Sequence, residues 1–175
     1  MFSHLLRIGC AVAAFGVTTP VFAQESDNRV SANTDWSVFE EQSPRECWAV
    51  SAPKETVNTR DGNVVAVRRG EILLMVFYRP GDSVSGQIAF TGGYPFAGGS
   101  TVSVDIGGTQ YQLFTEGEWA WPATPEDDAR IVDAMKRGAD ATFVARSSRG
   151  TVTSDKFSLR GFTAAVDEAS RRCAG

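Results

Sequence analysis

Short runs in which apolar and polar residues alternate, each closed by a turn rich in glycine, proline, asparagine or serine, recur from Trp36 to Leu159. Period-two alternation puts one set of side chains on a buried face and the other in solvent, so such runs fold as half-buried β-strands. The strands read this way are Trp36–Glu40, Glu46–Ser51, Val64–Val67, Glu71–Tyr78, Val84–Thr91, Thr101–Ile106, Gln110–Thr115, Glu118–Trp121, Ala141–Ser147 and Thr151–Leu159, several of them very short. Glu71–Tyr78 is nearly continuous in apolar residues and is bounded by Gly70 and Pro80, as expected of a central strand covered on both faces. Gly107-Gly108 and Ser148-Arg149-Gly150 are hairpin turns. The segment from Pro53 to Asn63 reads as a polar loop. Gly92–Ser100 is loop chemistry in which the Tyr94-Pro95 bond is a candidate for the cis form.

Two segments break the pattern. Thr124 is placed to cap a helix with Pro125 in its first turn, three acids (Glu126, Asp127, Asp128) at its positive end, and Gly138 as its stop. Phe162, Val166, Ala169 and Cys173 share one face of a second helix. The expected architecture is mainly β: an antiparallel sandwich or barrel-like domain of about eight or nine short strands. Two short helices, at about 125–137 and 161–172, cap it.

Residues 1–23 have a basic start at Arg7, an apolar stretch of about ten residues and Val21-Phe22-Ala23 at the end. This is the pattern of a secretory signal cleaved after Ala23 and is too short to span a bilayer. Arg7 and the early position of Cys10 speak against a lipoprotein signal. Gln24–Thr34 is polar and aperiodic and reads as a flexible leader, so that 35–175 forms a single domain, an ordinary size for one. Cleavage takes the net charge from −4 to −5, because the signal holds Arg7 and no acid. That balance does not favour nucleic acid as a partner. Cleavage also removes His4, the only histidine, and with it the histidine-dependent nucleophile systems and most zinc sites. The mature chain retains Cys47 and Cys173. In an oxidising compartment two cysteines pair most simply as one disulfide, the alternative being two buried thiols.

Few residues point to chemistry. Glu116 and Glu118 beside Trp119 and Trp121 resemble the carboxylate pairs of glycosidases, but Gly117 between them suggests a turn and two solvated acids. Asp127, Asp128 and Asp133 lack any hard-cation spacing, and a helix N-terminus accounts for the first two. No metal and no cofactor is expected. Trp119, Trp121 and Tyr94 are candidates for binding. Trp119 and Trp121 flank Ala120 and so share a face, which is expected to be buried. Arg68-Arg69 and Arg171-Arg172 read as solvated ends of elements.

Several ordered motifs carry a resemblance. They are Gly93-Tyr94-Pro95-Phe96 followed by Gly99-Ser100-Thr101-Val102, and Leu113-Phe114-Thr115 followed by Gly117, Ala120 and Trp121. The others are Ile131-Val132 with Ala134-Met135-Lys136 and Gly138, then Ser148-Arg149-Gly150-Thr151, and Ser158-Leu159 with Gly161-Phe162-Thr163-Ala164-Ala165 before Cys173. In sequence and order these resemble the invasion-associated locus B family of alphaproteobacteria, over about residues 35–173. The resemblance implies an exported, mostly β domain, periplasmic or associated with the outer membrane. It carries no catalytic residue, because the matched motifs are glycines, aromatics and aliphatics. The expected function is therefore a non-enzymatic envelope protein that binds another envelope protein and has no transmembrane segment in its mature chain. The alternatives are a binder of small ligands or glycans and, further off, a carboxylate-dependent cell-wall hydrolase.

Overall fold

A computed structural model of the chain describes residues 28–174. The expected signal, its cleavage site after Ala23 and the first part of the leader lie outside the described residues. The described chain forms one antiparallel sheet of twelve strands and two helices, in the spatial order β1-β2-β3-β6-β7-β10-β9-β8-β11-β12-β4-β5. Along the chain these are β1 (Arg29–Asn33), β2 (Trp36–Gln42), β3 (Arg45–Ser51), β4 (Glu55–Arg60), β5 (Asn63–Val64), β6 (Leu73–Arg79) and β7 (Val84–Thr91). Then come β8 (Thr101–Ile106), β9 (Thr109–Glu116), β10 (Trp119–Trp121), α1 (Pro125–Arg137), β11 (Asp140–Arg146), β12 (Val152–Ser158) and α2 (Phe162–Cys173).

The mainly β class, both helices and both hairpins agree with the sequence reading. The strand count and the closed-barrel option do not: there are twelve strands rather than eight or nine, and the sheet has two free ends. The strands missed lie at those ends. β1 falls inside the expected leader, and β4 inside the expected loop. Their residues are mostly exposed or half-exposed, so no buried side gives them an alternating pattern. Short, polar strands of this kind are how sheets blunt their edges. Of the expected Val64–Val67 strand only Val64 lies within a strand, where it is exposed, and the Val65 N–H adds one further bond to the Asn58 carbonyl of β4. The cis bond is Ser43-Pro44, in the β2–β3 turn, and not Tyr94-Pro95.

The sheet curls over its own inner face. Trp36 on β2 donates its indole N–H to the Ser158 carbonyl at the end of β12, 2.9 Å away, although the two strands are far apart in the sheet order. Inward residues from both halves meet in one core. Phe90, Phe143 and Phe157 pack with ring centroids 4.7–6.1 Å apart, and Trp36 meets Phe162 edge-on at 4.8 Å. Helix α2 lies against β1, β2, β3 and β6. Cys173 on its buried side is bonded to Cys47 on β3, with 5.9 Å between their Cα atoms, so the two cysteines pair and are not free thiols.

Helix α1 begins as the sequence indicates. The Thr124 hydroxyl accepts from the Asp127 N–H, and Lys136 and Arg137 close the other end. Its buried face includes Asp128 beside Ile131 and Met135. The Asp128 carboxylate accepts the backbone N–H of Ile88 at 2.7 Å. Strand β10 is too short to reach Ile88, so this side chain supplies the acceptor that a neighbouring strand would have provided. Burial pushes the Asp128 carboxyl up to about 6.

Candidate functional site

The path from β3 to β6 builds the principal cavity. The chain leaves β3, crosses to pair β4 with β12 at the far end of the sheet, and returns along residues 65–72 to β6. The return segment passes over β12 and the loop that follows β7. There the Gly70 N–H donates to the Gly93 carbonyl at 2.8 Å. A Cβ on Gly93 would lie 2.6 Å from the Gly70 carbonyl oxygen, and Gly93 has φ +73°, so only glycine allows this approach.

Arg69 is the pivot of the crossing. Its guanidinium forks onto Asp155 of β12, at 2.7 and 2.5 Å, and its Nε donates to the Gly92 carbonyl at 2.8 Å. It also donates to the Asn58 side chain and lies over the Tyr94 ring, 5.1 Å from the centroid. Asp155 has no exposure and the Arg69 side chain has 6%. Burial, the largest influence, pushes the Asp155 carboxyl up, against the opposing pull of Arg69. Arg69 is thus a buried partner, not the solvated element end expected of the Arg68-Arg69 doublet. Tyr94 completes the floor by hydrogen bonding to the Thr153 hydroxyl at 2.6 Å. Burial raises the Tyr94 phenol as well, which keeps its O–H in place.

Above this floor is a cavity of about 500 Å³. Its walls come from the end of β4 (Arg60), the return segment (Val67, Arg68), the β9–β10 turn (Glu118) and the β11–β12 turn (Ser147, Ser148, Arg149). Arg60 donates to the Thr151 hydroxyl at 2.7 Å. Among the described residues, none of Arg60, Arg68 and Arg149 has a carboxylate within ion-pair distance.

A second feature lies on the outer face of the sheet. Ala120 points into the core, so Trp119 and Trp121 point outward and are not buried as expected. Trp119 is 38% exposed and Phe114 46%. The indoles of Trp119 and Trp121 are 6.5 Å apart at 25°, and the Phe114 ring is 5.5 Å from Trp121. Strand register continues this row through Ala89, Met75 and Val50. A parallel row holds Phe39 stacked on Trp48 at 5.4 Å, with Phe77 beyond it. Trp121 borders a shallow hollow of about 370 Å³ together with Gln87, Glu116 and Asp128.

Of the residues singled out in the sequence, Tyr94 borders the first cavity and Trp121 the second, with Trp119 beside it. Glu116 ends β9 and lines the hollow, whereas Glu118 lies in the turn and lines the arginine cavity. Gly117 between them has φ +59°, and the two carboxylates do not share a cavity, so this pair lacks the facing geometry of a glycosidase. Asp127 is held by Thr124 and Arg130 at the helix start. Among the described residues no group of His, Cys, Asp and Glu is placed to hold a metal ion, and no helix is long and apolar enough to cross a membrane. Arg60, Arg68 and Arg149 were not legible as a group. They lie on three separated segments, and nothing in their local sequence signals a common cavity.

The fold and the site define a curled antiparallel β domain, stapled by one disulfide, with an arginine-lined cavity and an exposed aromatic face. Residues 36–170 match the family described as invasion associated locus B (IalB) protein, and the chain belongs to that family. No curated protein and no solved structure gives a significant match.

Proposed function

We propose that this chain is an exported, non-enzymatic binding protein of the bacterial envelope that engages a protein partner through the outer aromatic face. The observation that carries this reading is the cluster of exposed Phe114 and Trp119 around half-buried Trp121, with the half-buried Phe39–Trp48–Phe77 row on the same face of the sheet. Helix α2 does not cover it, lying on the inward side, against Cys47 and Ser31. Aromatic side chains gathered on an open face are what protein interfaces are enriched in. The disulfide is in keeping with an oxidising compartment outside the cytoplasm.

The test is in-cell crosslinking of the tagged protein in its own host, with the adducts identified by mass spectrometry. One reproducible envelope-protein adduct, lost in the double variant Phe114→Ser/Trp119→Ser, is the expected result. An adduct pattern that the variant leaves unchanged would refute the assignment of this face.

The hollow beside Trp121 supports a second reading, because an indole face with Gln87, Glu116 and Asp128 at its margin suits a sugar ring. A thermal shift with soluble cell-wall fragments, abolished by Trp121→Ala, would favour that reading over a protein partner.

A further inference from the structure

We infer that the arginine cavity is a binding site for a small soluble molecule carrying two or more oxyanion groups, phosphate or carboxylate. The argument starts from charge. The lining holds four arginines and one glutamate. Arg69 is neutralised by Asp155, so Arg60, Arg68 and Arg149 face a single carboxylate, Glu118. The cavity therefore carries about two positive charges, in a chain whose net charge is −4. Like charges gathered around one concavity repel, and they focus a field that draws in anions. Guanidinium forks match the geometry of carboxylate and phosphate oxygens in pairs.

The site is also built, and not a chance meeting of surface arginines. Its floor is the buried Arg69–Asp155 fork with the Tyr94–Thr153 hydrogen bond beside it. Burying such an ion pair adds little net stability, because the desolvation cost offsets the attraction. What the pair does is tie three segments, the return segment, β12 and the loop after β7, in one geometry. Arg60 is in turn aimed by the Thr151 hydroxyl, and the Thr151 N–H donates to the Ser147 hydroxyl at 3.1 Å. A volume of about 500 Å³ is in the range of small-molecule sites and exceeds the needs of one phosphate or one carboxylate. Arginines on three walls suit groups placed at two or more ends of the ligand. Glu118 opposes the anion and sets a limit to the affinity.

The test uses the purified protein, inorganic pyrophosphate and citrate as probes, and sodium chloride at matched ionic strength as the reference. Isothermal titration and thermal melting are read together. The expected result is binding of at least one probe at one site per chain, with a raised melting temperature. The arm that binds tells phosphate from carboxylate recognition. Arg68→Gln/Arg149→Gln, at two exposed positions and with the fold checked by circular dichroism, should weaken binding by about tenfold or more. Glu118→Gln should tighten it by about twofold or more, by removal of a like charge. Failure of both probes to bind beyond the chloride reference, or equal affinity in the double arginine variant, would overturn the proposal.

Discussion

Single residues in this domain act where backbone geometry leaves a polar group without its usual partner. Asp128 is the clearest case. It satisfies the buried N–H of Ile88 where β10 stops short. Its carboxyl is pushed up to about 6 from 3.8, chiefly by burial, with Asp127 adding to the rise and the Ile88 bond opposing it. Because the folded value is the higher one, the native state binds a proton more tightly than the unfolded chain. The contribution of this group to stability is then fullest below pH 4, falls as the pH rises toward 6, and stays low above that. Asn keeps an acceptor for Ile88 without the charge. Asp128→Asn should therefore be more stable than the parent at pH 7, by roughly 1–2 kcal/mol, with the difference vanishing near pH 4. Urea denaturation across pH 4–8 reads this, and a difference independent of pH would show that Asp128 is not the titrating group. The sequence put Asp128 at the helix start as one acid among three. Which of the three turns inward was not legible, because that depends on where β7 lies relative to α1. The same holds for Arg69, whose partner Asp155 is 86 residues away.

At the scale of elements, the central strands and both helices were legible because each buries one face, and burial writes a period into the sequence. The strands β1 and β4, at or next to the ends of the sheet, bury little and left no period. The junction into α2 shows how closely elements meet. Gly161 has φ +89°, and a Cβ there would lie 1.8 Å from the Asn33 carbonyl oxygen at the end of β1. Gly161→Ala should therefore lower stability by about 3 kcal/mol or more, through both the clash and the backbone conformation. Gly98→Ala, at a position with open space around it, is the control and should be nearly neutral. If both variants unfold at the same urea concentration, the packing of β1 against the start of α2 is not as described. The glycine was visible in the sequence as a helix-start residue, but its neighbour was not.

For the whole molecule, the disulfide is the long-range constraint. Cys47 and Cys173 are 126 residues apart, and closing a loop of that length restricts the unfolded chain by about 5 kcal/mol. Reduction should lower the melting temperature by roughly 10–20 °C, measured by calorimetry with the redox state confirmed by intact mass. Equal melting of the two forms would mean that the unfolded chain is already restrained in some other way. The sequence by itself determined the β class, the two helices, the cap and stop of the first, and the family, because these rest on local periodicity, capping chemistry and ordered motifs. The tertiary structure alone decided that twelve strands form one curled sheet, that Trp119 and Trp121 face outward, and that Arg60, Arg68 and Arg149 surround one cavity. Each of these depends on which distant strands become neighbours and which way the sheet curls. Non-local pairing of that kind leaves no spacing along the chain from which it can be read.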